Sequence, residues 1–148
     1  MVGKYYEDFE VGDRFVTVRR TISETDIVNF VNLTGLLEPI FTDKEHWEKE
    51  SIFKKRFAPA PLTLSCSLGL VAQVGLTHGT AMALLGMNDV KAVKPVFCDD
   101  TIYVENELTE KKPTKRPDRG ILTWKREVKN QNNELALSYF HTMMVLRK

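Results

Sequence analysis

Between Pro61 and Leu76 the chain contains no Asp, Glu, Lys or Arg. Leu62, Leu64, Cys66, Leu68, Leu70, Val71, Ala72 and Val74 fall on every side of a helical wheel there. A helix that is apolar all round is buried rather than amphipathic. Pro61 suits its first turn, and Gly75 or Gly79 can end it. An amphipathic helix is predicted upstream. Ser23 is a good N-cap, Asp26 favours the helix N-terminus, Ile27, Phe30, Val31 and Thr34 form an inward stripe, and Gly35 stops it. Thr42 then caps a short helix, with Glu45 completing a capping box and Trp47 as the anchor.

The rest reads as strands. Tyr5 to Phe9 is extended, Val11-Gly12-Asp13 is a turn, and Arg14 to Arg20 is a strand carrying Phe15, Val16 and Val18. Beyond the buried helix, Ala81 to Leu85 and Val90 to Phe97 are two runs separated by a turn at Met87-Asn88-Asp89. Thr101 to Leu108 and Leu122 to Val128 alternate in character. Two prolines and five basic residues make Lys111 to Gly120 a solvated loop. Asn130-Gln131-Asn132-Asn133 is a hairpin turn leading into a last strand, Leu135 to Leu146. One buried helix followed by antiparallel strands predicts an α+β fold with the sheet wrapped around the helix.

Composition narrows the function classes. A chain of 148 residues fits a single domain, 1–148, with 43% hydrophobic and 28% charged residues. A formal net charge of +1 lacks the basic excess that nucleic-acid backbones require. No run approaches the ~18 apolar residues of a membrane helix, and the N-terminal stretch has no apolar signal region, so a cytoplasmic location is expected. Cys66 and Cys98 read as two buried thiols rather than a disulfide. His46, His78 and His141 have no metal-ligand spacing, and there is no Gly-x-Gly-x-x-Gly; neither metal nor nicotinamide is expected.

Four stretches carry a family pattern: Tyr6-Glu7-Asp8-Phe9-Glu10-Val11-Gly12-Asp13-Arg14-Phe15, Thr21-Ile22-Ser23-Glu24-Thr25-Asp26-Ile27-Val28-Asn29-Phe30, Leu33-Thr34-Gly35, and Lys94-Pro95-Val96-Phe97-Cys98-Asp99-Asp100-Thr101-Ile102. In order and spacing they resemble MaoC-like hotdog domains, the family of (R)-specific enoyl-CoA hydratases. In the last stretch Asp99 stands where the family has Gly. The resemblance implies a hotdog fold, an acyl thioester of coenzyme A or a carrier protein as ligand, and a homodimer or a heteromeric hotdog partner.

The family's hydratase motif, Gly-Asp-x-Asn-Pro-Leu/Ile-His, is altered here to Gly35-Leu36-Leu37-Glu38-Pro39-Ile40-Phe41. Leu36 and Phe41 replace the Asp and His that activate water, and neither can transfer a proton. Losing positioned acid–base groups costs ~10²–10⁴-fold each. The family's His-Gly step into the central helix is Pro59-Ala60 here, and Ala60 still has a backbone N–H that can polarise a thioester carbonyl. Glu38 is the candidate replacement catalyst, against a plainer reading as a loop carboxylate paired with Lys54, Lys55 or Arg56. Those three cations, with Lys91 and Lys94, are also candidates for the phosphates of coenzyme A, against an ordinary solvated face. Asp43 and Glu45 read as helix caps, His46 as exposed, His78 as a charge at the helix C-terminus rather than a group reaching a neighbouring subunit's site, and Ser65 and Ser67 as bonded to their own helix.

Three functions follow from these residues. One is a hydratase or dehydratase with altered chemistry through Glu38. The second is a non-catalytic hotdog subunit or acyl-thioester binder, with Leu36 and Phe41 lining the pocket. The third, ranked last because residues 61–76 carry no carboxylate, is a hotdog thioesterase.

Overall fold

The computed structural model describes residues 2–148. Two short strands, β1 (Arg14–Val16) and β2 (Arg20–Thr21), precede four long ones: β3 (Ala81–Ala92), β4 (Thr101–Pro113), β5 (Arg119–Lys129) and β6 (Leu135–Leu146). They form one antiparallel sheet in the order β1-β4-β5-β6-β3, with β2 also on β4. Burial alternates along β5 and β6, so Leu122, Trp124, Arg126 and Val128 share the inward face with Tyr139, His141, Met143 and Val145. Helix α4 (Ala60–Val74) lies on that face and turns Leu62, Thr63, Cys66, Ser67 and Leu70 to it. This is a hotdog fold. Burying one side chain such as Leu70 contributes roughly 2–3 kcal/mol.

The expected all-round burial of α4 holds on one side only. Pro61, Ser65, Gly69 and Ala72 remain exposed on the other, because a single sheet wraps only part of a helix. Gly75, at φ 78°, ends α4 in the left-handed conformation that glycine adopts without strain.

Helix α1 (Glu24–Thr34) forms as expected. Ser23 Oγ accepts the Asp26 N–H at 3.1 Å, and Asp26 Oδ2 accepts the Ser23 N–H at 2.9 Å. Its inward stripe is narrower than the sequence suggested: Ile27 and Val31 are buried, Phe30 is half-buried and Thr34 is exposed. Next come α2 (Pro39–Thr42) and α3 (Lys44–Lys49). Here the predicted cap is displaced by one residue. Pro39 starts a turn of its own that consumes Thr42, so Asp43 caps α3 by accepting the His46 N–H at 3.3 Å. Glu45 pairs with Lys49 instead of closing a capping box, while Trp47 is the buried anchor as expected.

Four other expectations change. Tyr6–Asp8 is a 3₁₀ turn, closed by the Tyr5 N–H on Asp8 Oδ2, rather than extended chain. The strand predicted from Arg14 to Arg20 is broken into β1 and β2. β3 is one strand, since Met87 and Asn88 pair with His141 and Phe140 and bulges absorb the expected turn. The loop predicted from Lys111 shrinks to residues 114–118, because Lys111, Lys112 and Pro113 pair with Leu122, Ile121 and Gly120. Gly120 is required there. A Cβ would lie 2.2 Å from the Tyr6 ring, which packs directly on the strand. The Asn130 turn and the limits of β6 match the sequence reading; both cysteines are free, but only Cys66 is buried and Cys98 is half-buried.

Candidate functional site

The segment before α4 is stapled to the segment before β4. Phe57 bridges Phe97, the Ala58 N–H donates to Val96 O at 2.7 Å, and the Cys98 N–H donates to Arg56 O at 3.1 Å. Asp99 sits at φ 72°, a left-handed position that suits glycine and that Asp tolerates better than most residues. The adjacent Asp100 carboxylate accepts the Phe97 N–H at 2.8 Å and locks the turn.

This staple holds the first turn of α4 over a cavity of about 210 Å³, lined by Phe57, Ala60, Thr63, Val93, Pro95 and Leu137 among others. The wall is mainly apolar. In the first turn, the Leu62 and Thr63 N–H groups both donate to Pro59 O, at 2.9 and 3.3 Å, and Pro61 has no N–H. The Ala60 N–H is left without an acceptor among the described residues, at the positive end of a 15-residue helix. Such a donor can stabilise an oxygen that gains negative charge.

Only part of the predicted site gathers here. Ala60 lines the cavity; Pro59 is the buried N-cap behind it. Phe41 is buried and packs edge-on against Phe57, ring centroids 5.3 Å apart, so it shapes the cavity wall from behind. Leu36 is half-buried against the same core. Glu38 is exposed at the N-cap of α2. Its carbonyl accepts the Phe41 and Thr42 N–H groups, its carboxylate has no partner among the described residues, and it does not line the cavity.

The expected ion pairs of Glu38 do not form. Arg56 instead donates to Glu24 at 2.5 Å and to Phe41 O at 3.4 Å, with its guanidinium 4.8 Å from the Trp47 ring centre. Arg56 therefore ties α1, α2 and α3 together rather than offering itself to a phosphate. Lys54 donates to Lys49 O, and Lys55 lies 4.7 Å over the Phe97 ring; both are exposed. Lys94 lines the cavity while paired with Glu134, and Lys91 is exposed. His78 is exposed and His46 is half-buried. Ser65 Oγ donates to Pro61 O and Ser67 Oγ to Leu64 O, as expected for helix serines. Burial pushes the Cys66 thiol up, which keeps it protonated.

Sequence reasoning missed a polar cluster further along α4. Asn106, Arg126 and His141 all point inward and are buried. Tyr139 joins them: its hydroxyl meets Ser67 Oγ at 2.8 Å. Because Ser67 gives its only hydrogen to Leu64 O, Tyr139 is the donor of that bond. The signal was present, since Arg126 occupies an inward position in the alternation Leu122, Trp124, Arg126, Val128.

The family model described as MaoC like domain matches residues 8–130. Protein MaoC of Klebsiella aerogenes is 36% identical over 117 residues, which are 79% of this chain and 33% of that protein. This chain thus spans about a third of that curated relative. The monoamine oxidase regulatory protein of Archaeoglobus superposes with a TM-score of 0.92 at 36% identity, covering 100% of this chain and 97% of that one. An (R)-hydratase of Pseudomonas aeruginosa does so with a TM-score of 0.80 at 25% identity, covering 97% and 86%. Sequence and fold therefore agree, and the chain belongs to the MaoC-like domain family.

Proposed function

We propose that this protein binds an acyl thioester, of coenzyme A or of a carrier protein, at the start of α4, and that it lacks the family's usual water-activating pair. The observation that carries this reading is that Ala60, whose N–H has no acceptor among the described residues, lines a mainly apolar cavity. The amide receives the thioester oxygen and the cavity receives the acyl chain. The positions of the family's acid and base are filled by Leu36 and Phe41, which pack rather than transfer protons. Lys54 and Lys55 are the exposed cations nearest in sequence for the phosphates of the ligand.

A second hotdog chain completes the assembly in this reading. β3 is an edge strand exposing Met82, Leu84, Leu85 and Val90, and one side of α4 is open. Edge-to-edge pairing of two copies, or of this chain with a different hotdog subunit, covers both.

Thermal-shift titration with crotonyl-CoA and longer or branched enoyl-CoAs tests binding, beside a hydration assay. Ala60→Pro removes the N–H at a helix position where proline is well tolerated. It should weaken binding about tenfold, the worth of one hydrogen bond, while Ala60→Gly binds normally. Hydration should be absent. Turnover that disappears in Glu38→Gln, with binding kept, would move the acid–base role to Glu38 and defeat the non-catalytic part. No thermal shift with any thioester would defeat the binding part.

A further inference from the structure

Under the second half of α4 lies a smaller cavity, of about 40 Å³, lined by Phe15, Val71, Leu76, Trp124, Arg126 and Met143, with exposed Ala72 at its rim. Arg126 is 4% exposed and has no carboxylate within ion-pair distance among the described residues. Its Nε has no hydrogen-bond partner among the described residues, and its guanidinium lies 5.9 Å from the ring of Tyr139, whose side chain favours the charged form. Buried charges are normally paired, because desolvating one costs several kcal/mol that only a partner returns.

Two neighbours of Arg126 also carry unpartnered polar atoms among the described residues, an acceptor on Asn106 and a ring nitrogen on His141. Asn106 is its direct partner across β4 and β5, is 3% exposed, and has an unpartnered Oδ1; its Nδ2 donates to Val104 O at 3.2 Å. His141 stands on β6 one inward position beyond Tyr139, the residue opposite Arg126, and its Nδ1 is unpartnered. Burial, and secondarily the charge of Arg126, holds His141 down to about 4, so it is neutral at physiological pH and can offer one N–H. One face of three adjacent strands therefore presents a guanidinium, a carboxamide and an imidazole. Among the described residues, no acidic side chain lines the cavity or pairs with Arg126.

We propose that Arg126 receives a small carboxylate-type anion in this cavity, beneath α4 and separate from the thioester cavity. The guanidinium fork supplies the charge and paired donors that a carboxylate fits. A space of about 40 Å³ exceeds what a single water needs and is of the size of one small anion. Two sources share this chemistry: a free anion, and a carboxylate at the far end of an acyl chain. The anion site itself does not depend on the thioester reading; only the second source does.

The test is thermal unfolding of the intact protein in HEPES without added salt, titrated with sodium formate or sodium bromide against equal ionic strength of the HEPES salt. The wild type should gain about 3–5 °C, saturably, by tenfold over half-saturation, and Arg126→Met should not. Arg126→Met should also melt higher than the wild type in the anion-poor buffer, since it removes an unpaired buried charge. Equal responses of the two proteins would overturn the proposal. Should Arg126→Met fail to fold, bromide-soaked wild-type crystals decide. An anomalous peak beside Arg126 supports the site, and none there sinks it. Succinyl-CoA against butyryl-CoA separates the sources. A larger shift with succinyl-CoA, lost in Arg126→Lys, assigns the anion to the acyl chain; equal shifts alongside a positive formate response assign it to a free anion. Failure of every thioester with formate still active would count against the thioester reading alone.

Discussion

Among the described residues, α4 has at its first turn an amide without an acceptor, on a residue that lines a mainly apolar cavity; under its second half the sheet presents a guanidinium without a carboxylate. Both are unpaired donors, but their costs differ. Ala60 is exposed, so water satisfies its N–H until a ligand displaces it, and the partial charge there is an ordinary property of a helix end. Arg126 is a full charge shut between sheet and helix, and its burial penalises the charged form. A weak donor in the open tells a binding story only together with its cavity and its relatives. A strong donor in the interior demands an explanation by itself.

The two regions share α4, which carries the contact of Ser67 with Tyr139 and the buried Leu70 between Thr63 at the first cavity and Val71 at the second. The largest effect should come from breaking what they share. Leu70 is 1% exposed, and Leu70→Ala should cost about 2–5 kcal/mol in urea unfolding and weaken thioester and anion binding together. If only one ligand is lost, the two sites do not depend on a common helix position.

Next is acid. The ordinary His141 pKa of 6.5 applies in the unfolded chain, while the folded protein holds it near 4. Between those values the unfolded chain binds more protons, so stability is complete above pH 6.5 and falls as the pH drops towards 4. The loss should be on the order of 3 kcal/mol and should vanish in His141→Phe. An unchanged acid profile in that variant would place the titration elsewhere.

Tyr139→Phe removes the bond to Ser67 of α4. Ser67 keeps its own bond to Leu64 O, so the cost should be about 1 kcal/mol, read from the urea midpoint. Thioester binding should be unaltered. The smallest effect is expected at the helix end: Gly75→Ala places a side chain at φ 78° and should cost about 1 kcal/mol, without changing either ligand response. A larger loss would show that the end of α4 does more than stop a helix.

Much of this molecule was legible along the chain because it is set within a few residues. Ser23, Asp26 and Gly35 delimit α1 by local hydrogen bonds and one left-handed residue. The charge-free run from Pro61 yields α4, and Asn130 closes its turn through its own side chain. That Leu36 and Phe41 carry no proton-transferring group was equally plain, since it concerns residue identity. The displaced cap at Asp43 shows where local reading slips: Thr42 and Asp43 are both good caps, and Pro39 decided between them.

The tertiary structure decided the rest, and in each case the cause lies far away in sequence. Arg56 could have served Glu38 or a phosphate; the fold pairs it with Glu24, 32 residues away in the chain. Bulges against β6 turned a predicted turn into the middle of β3. Strand alternation put Arg126 on the inward face. Only the pairing of β4, β5 and β6 brought Asn106, Tyr139 and His141 around it without a carboxylate. Capping and periodicity are short-range and can be read from one segment; register and the partners of long charged side chains are fixed by segments that meet only when the chain folds.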